Sequence, residues 1–256
     1  MAILNSFYFD GVCSRERGLV IESKSVLNGP EPRLQEWDVP GRDGTAYLFE
    51  GYQNVEVSYT TFLKACREEE LPQRAGALKA WLQGKPGEYL RLEDDYDPDH
   101  YRLASYGGGL DFESRWKLFA RQTATFSCKP YRYLRSGENR LSSQGDGLTV
   151  FNPTGFESLP VVELYLGMSF SGDVTIQAAY EDGSTYEHTI TGIPARLAGT
   201  NLTLDCERQL VRDSLGALVQ SAELEEFPAL RPGKNMISVS GSGLSGFGVI
   251  PRWREL

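Results

Sequence analysis

The chain has 256 residues, 40% of them hydrophobic, 24% charged and 11% aromatic, which is a globular composition and excludes disorder. The net charge is −9, with 18 basic and 21 acidic side chains in residues 1–138 and the rest more acidic still, so neither half offers the basic footprint that duplex DNA binding needs. No apolar stretch approaches the roughly 20 residues of a membrane-spanning helix, and the start, "MAILNSFYFDG", lacks the features of a secretory leader, so folding in a cytoplasm is expected.

The first pronounced signal in chain order is residues 36–62, "EWDVPGRDGTAYLFEGYQNVEVSYTTF". A Pro-Gly-Arg-Asp-Gly turn at 40–44 precedes a run in which Val55, Val57 and Tyr59 alternate with Glu56, Ser58 and Thr60. This pattern predicts a β-arm, whose main-chain groups need a pairing partner. Residues 71–83 place Leu71, Ala75, Leu78 and Leu82 at helical spacing, preceded by three glutamates and ended by Gly84 and Pro86. They predict an amphipathic helix laid over a sheet.

Two short strands follow, "EYLRLE" with Leu90 and Leu92 on one face and "HYRLASY" with Tyr101 and Leu103 on one face. Between them lies "EDDYDPD", residues 93–99. Its acids suit calcium by type but lack the order of an EF-hand, which leaves a solvated hairpin loop. The run "RWKLFARQTATFSC" at 115–128 alternates for 14 residues, which would span roughly 46 Å. It is expected to run in part beyond its own domain.

Residues 136–155 are rich in Ser, Gly and Asn and read as a crossing segment. Beyond them come seven short strand-like runs, "VVELYLG", "DVTIQAAY", "YEHTITGI", "NLTLDC", "QLVRD", "NMISVSG" and "FGVIPRW", separated by turns such as "EDGS" and "RPGKN". This rhythm predicts an antiparallel β-sandwich. The fold class is therefore all-β with one helix. The expected domains are 1–137, a sandwich or barrel-like unit, and 138–256, a second sandwich.

Catalytic signals are sparse. His100 and His188 lie in different halves, and no nucleophile elbow, HExxH, Walker loop or dinucleotide fingerprint occurs. Paired carboxylates could also serve glycoside hydrolysis, but no pair is singled out. Trp37, Trp116 and Trp253 could stack on sugar, though core packing or interface burial accounts for such aromatics more often. Cys13, Cys66, Cys128 and Cys206 lie far apart and read as reduced, mostly buried thiols. No catalytic, metal or cofactor site is assigned. The ending "PRWREL" places Arg252, Trp253 and Arg254 at a domain edge, packed on their own sandwich or against a neighbour.

Taken in order, "FYFDG" at 7–11, "GL" at 18–19, "LNGPEPR" at 27–33, "PGRDG" at 40–44 with "GYQNVEVSY", "WLQGKPGEY", "RWKLF…ATFSCKPY", "NPTGFESLPVVEL", "LRPGKNMISVSG" and "PRWREL" resemble the distal tail proteins (Dit) of long-tailed phages and prophages of Gram-positive bacteria. The resemblance implies a virion hub of six copies in a ring at the distal end of the tail, through which DNA passes. The first domain would build the ring, and the second, similar to a galectin or carbohydrate-binding module, would project outward. Implied partners are the chain itself as a homo-hexamer, the tail tube protein, the tail-associated lysin or fibre (Tal) protein, and receptor-binding or baseplate proteins. Neither sequence-specific nucleic acid nor membrane insertion is implied.

On this reading the arm and part of the 115–128 strand pair with adjacent copies. The assigned interface residues are Pro40, Gly41, Arg42, Asp43, Gly44, Tyr47, Tyr52 and Trp116. Glu93, Asp94, Asp95, Asp97 and Asp99 would face the lumen and repel passing DNA. The alternatives are a carbohydrate-binding module in host attachment and a glycan hydrolase. A glycan array or calorimetry on the isolated C-terminal half separates the first from the hub.

Overall fold

The computed structural model describes residues 5–115, 118–145 and 147–256, of 114 and 115 the backbone only. The chain forms two compact units, Met1–Arg132 with Leu256, and Tyr133–Glu255.

The first unit contains β1 (Phe7–Phe9), β2 (Val12–Cys13), β3 (Leu19–Ser25), β4 (Pro32–Asp38), β5 (Thr45–Tyr52), β6 (Val55–Lys64), α1 (Glu70–Gln83), β7 (Leu90–Asp94), β8 (Asp97–Tyr106), β9 (Glu113–Arg115) and β10 (Phe119–Leu134). Its main sheet runs β2-β1-β7-β8-β10-β6-β3, with β9 also on β10. The sheet curls into a half-barrel, the barrel-like form of the two expected. Lys24 of β3 reaches Asp94 of β7 at 2.5 Å although the two strands lie four places apart in the order. Inside the curl Phe7 stacks on Tyr59 with ring centroids 4.3 Å apart, and Phe9 and Phe126 lie 4.9 Å apart. Helix α1 lays Leu78 and Leu82 on this core, with Leu71, Ala75 and Trp81 partly buried. Burial of such a stripe, at roughly 2 kcal/mol per large apolar side chain, holds the helix where propensity alone would not.

Three expectations change here. The alternating run at 55–60 is β6, an interior strand. It pairs with β10 from Val55↔Cys128 to Lys64↔Phe119 on one side and with β3 on the other. The described part of the 115–128 run from Phe119 onward lies in β10 and is likewise interior, with β6 on one side and β8 and β9 on the other, so its ladder finds partners within the chain. In β8 the buried side chains are Arg102, Ala104 and Tyr106 rather than Tyr101 and Leu103. Tyr101 lies outside, where Arg91 sits over its ring at 3.9 Å.

The second unit contains β11 (Leu141–Ser143), β12 (Gly147–Asn152), β13 (Val161–Leu166), β14 (Val174–Tyr180), β15 (Thr185–Ile190), β16 (Asn201–Asp205), β17 (Leu210–Asp213), β18 (Gly233–Gly241) and β19 (Leu244–Ile250). Two antiparallel sheets, β11-β19-β13-β16-β17 and β12-β18-β14-β15, enclose a core that includes Val162, Leu164, Ile176, Ile190, Leu202, Phe247 and Val249. All seven runs read from the sequence are strands. The stretch read as a crossing segment, 136–155, instead supplies β11 and β12, which are edge strands of the two sheets. Edge strands need only one apolar face and tolerate Gly and Ser, so their apolar signal is weak.

A candidate assembly site

β4 and β5 form a sheet of their own, paired with each other from Pro32↔Tyr52 to Asp38↔Thr45 and, among the described residues, with no other strand. The turn Val39-Pro40-Gly41-Arg42 has Pro second and Gly third, with φ +80° at Gly41 and a bond from Arg42 N to Val39 O of 3.1 Å. Proline presets φ at that position and only glycine accepts the positive φ without strain, which is why this tetrapeptide reverses the chain.

Opposed residues share a face. One face therefore carries Leu34, Phe49 and Tyr47, and the other Trp37 and Leu48. Tyr47 is 60% exposed and Phe49 53%, and Leu34, Trp37 and Leu48 are exposed as well. A two-stranded ribbon is marginal in water by itself, and one with large apolar side chains on both faces and two open edges is a surface made for a partner.

Its root is built firmly. Gln53 N donates to Glu31 O at 2.8 Å, and Asn54 Nδ2 donates to Tyr89 Oη at 2.8 Å and Ser127 Oγ at 3.0 Å. The Tyr52 ring meets Phe49 and Tyr131 edge-on.

Of the residues assigned from sequence, Pro40, Gly41, Arg42, Asp43 and Gly44 form the exposed tip, Tyr47 lies midway along β5 and Tyr52 at the root. Trp116 falls outside the described residues. Leu34, Trp37, Leu48 and Phe49 complete the ribbon. Leu34 and Trp37 could have been found from their matched distance to the turn on its other side.

The acidic run 93–99 covers the end of β7, the turn at Asp95 and Tyr96, and the start of β8. Most of its acids carry counter-charges inside the unit. Glu93 pairs with Arg91, Asp94 with Lys24, Asp95 with Lys24 at 3.3 Å, and Asp97 with Arg132 at 3.0 Å; Asp97 also shares a hydrogen bond of 2.7 Å with His100 Nδ1. Asp99 is exposed. Among the described residues no group of three or more His, Cys, Asp and Glu is placed to hold a metal ion. His188, in the second unit, lies 3.4 Å from Glu226.

Arg252, Trp253 and Arg254 each make contacts within the chain. Trp253 is buried in the core of the sandwich, and Arg254 Nε donates to Glu157 O. Arg252 lies 2.7 Å from Asp205. Burial alone would raise the Asp205 carboxyl, but Arg252 and the backbone and charge of Arg208 together outweigh it and hold the group below the ordinary carboxylate range. All four cysteines are free. Cys128 and Cys206 are buried, Cys13 is partly exposed and Cys66 exposed, so two rather than most of them are hidden.

No protein-family profile matches the sequence, and no curated protein does. Solved structures do. Phage SPP1 Dit (gp 19.1), described as a paradigm of the hub adsorption apparatus in phages infecting Gram-positive bacteria, superposes with a TM-score of 0.76 at 13% identity, over 99% of this chain and 100% of that one. The phage P2 baseplate in its activated conformation with calcium gives 0.56 at 11% identity, covering 96% and 98%. The form with strontium gives 0.57 at 10%, covering 99% and 98%. At such identities the likeness is one of fold: over nearly its whole length, this chain is folded as a phage distal tail protein.

Proposed function

We propose that the chain is a structural hub subunit at the distal end of a phage tail, six copies of which close into a ring. The β4–β5 ribbon of each copy lies on the next. The observation that carries this reading is the ribbon itself, an apolar two-stranded sheet with no partner strand among the described residues. A head-to-tail contact of this kind closes into a ring when its rotation permits. The ring joins the tail tube to a tail-associated lysin or fibre protein and to host-recognition proteins, and DNA passes through it.

The role is one of assembly, without catalysis. The acidic turn flanks the DNA path, and since most of its acids are already paired, repulsion there rests on Asp99 and on the net charge of the chain. The test is to remove residues 35–48 and join the opposed pair Leu34 and Phe49 by Asn-Gly. The unaltered chain should form closed rings by mass photometry and electron microscopy, and the shortened one folded monomers. Rings from the shortened chain would defeat the proposal.

A second reading is glycan binding by the second unit. What favours it is the open side of the four-stranded sheet, a trough of about 440 Å³ lined by Thr149, Thr185, Ala179 and Met236. Across it Ser238 Oγ donates to Gln177 Oε1 at 3.4 Å, and Gln177 Nε2 to Glu187 Oε2 at 3.0 Å. Hydroxyl, amide and carboxylate groups in one row suit the hydroxyls of a saccharide.

A further inference from the structure

The chain between β3 and the ribbon, residues 26–31, is tied to the half-barrel by a side chain that a β-sheet core does not ordinarily contain. Arg102, on β8, is only 6% exposed. Its Nη2 donates to Asn28 O at 3.0 Å, and Asn28 Nδ2 in turn donates to Glu56 O on β6 at 3.1 Å. Strands β8 and β6 are not neighbours, since β10 lies between them. Asn28 thus bridges two separated strands just before the ribbon begins. Among the described residues Arg102 Nη1 finds no hydrogen-bond partner, and the Arg102 and Asp94 side chains line a cavity of about 30 Å³, room for one water molecule.

A buried guanidinium is an expensive way to stabilise a core. Burial is the leading influence on Arg102 and lowers its pKa from the ordinary value. Apolar side chains of similar volume usually serve stability as well or better. What an apolar residue cannot do is hold a carbonyl at a fixed place.

We propose that the Arg102–Asn28–Glu56 bridge is a positioning device that sets where the ribbon leaves the first unit. Its importance for assembly rests on the hub reading above. The positioning itself does not.

The test uses the full chain and hydrogen exchange followed by mass spectrometry. In Arg102→Met the amides of 26–38 and 45–52 should exchange about tenfold faster, while those of α1 and of the second unit keep their protection. Arg102→Lys, which retains a donor for Asn28 O, should recover part of the loss. Unchanged exchange at 26–38 in a folded Arg102→Met chain would overturn the proposal, and so would a rise spread evenly through β6, β10 and α1. Should Arg102→Met not fold, Asn28→Ala, which deletes only the bond to Glu56 O at an exposed position, decides by the same readout. If local exchange rises but rings form as before, the positioning stands and the bridge is not required for assembly; the hub reading is then decided by the shortened chain alone.

Discussion

Cys128 and Tyr106 show how burial in the half-barrel rewrites ordinary side-chain chemistry. Burial pushes the Cys128 thiol up to about 12 from 9.0, and the Tyr106 phenol up to about 12 from 10.0. The Cys206 thiol is raised by burial too. In each case the unfolded chain releases its proton at lower pH than the folded one. The stabilising difference is therefore intact below about pH 9 and is lost as pH rises toward 12, by as much as about 4 kcal/mol for Cys128. Urea denaturation as a function of pH should show a plateau from pH 7 to about 9 and a steep fall above it, and Cys128→Ala should flatten that fall. At pH 7.5 a thiol reagent should modify Cys66 first and reach Cys128 and Cys206 only on unfolding. Arg102 marks the limit of reading single residues. Alternation in "HYRLASY" puts either Tyr101 and Leu103 or Arg102 and Ala104 inward, and hydrophobicity favours the first. The second holds because Asn28, distant in sequence, supplies the acceptor that makes a buried arginine tolerable.

Among the elements, the ribbon and β6 divide what the sequence presents as one long β-run. Both have period-two patterning, but in β6 Val55, Val57 and Tyr59 face the core, whereas in β5 neither face does. A local pattern cannot separate them, because alternation reports pleating and not what covers each face. Gly137 makes a comparable point for the second unit. It accepts a bond from Arg252 N at 2.7 Å, and a Cβ there would collide with the backbone at Trp253. Gly137→Ala should destabilise the second unit by about 2 kcal/mol, as over-packing against fixed main chain does. A thermal melt should show this while α1 keeps its amide protection. The motifs "NPTGF" and "RPGKN" prove to be loop scaffolds. Buried Asn152 donates to Phe156 O at 2.9 Å and Leu230 O at 3.1 Å, and Asn235 accepts from Arg231 N at 2.9 Å.

At the scale of the whole molecule, the second unit has a core of its own, closed by two sheets of five and four strands. Residues 133–255 expressed alone should therefore fold and melt cooperatively by circular dichroism, and calorimetry of that fragment with neutral oligosaccharides tests glycan binding directly. A non-cooperative melt would mean that the sandwich depends on the rest of the chain. The first unit differs in kind, since it folds around its own core yet sends out a ribbon that no described strand of the same chain completes. By itself the sequence determined the all-β class, the single helix, the seven later strands, the turn at 40–44 and the resemblance to distal tail proteins, because these are written in local periodicity, turn chemistry and the order of short motifs. Only the tertiary structure decided which alternating run is core and which is ribbon, which face of β8 is buried, and which acids are already paired, because each of these depends on groups far apart in the chain arriving at the same place.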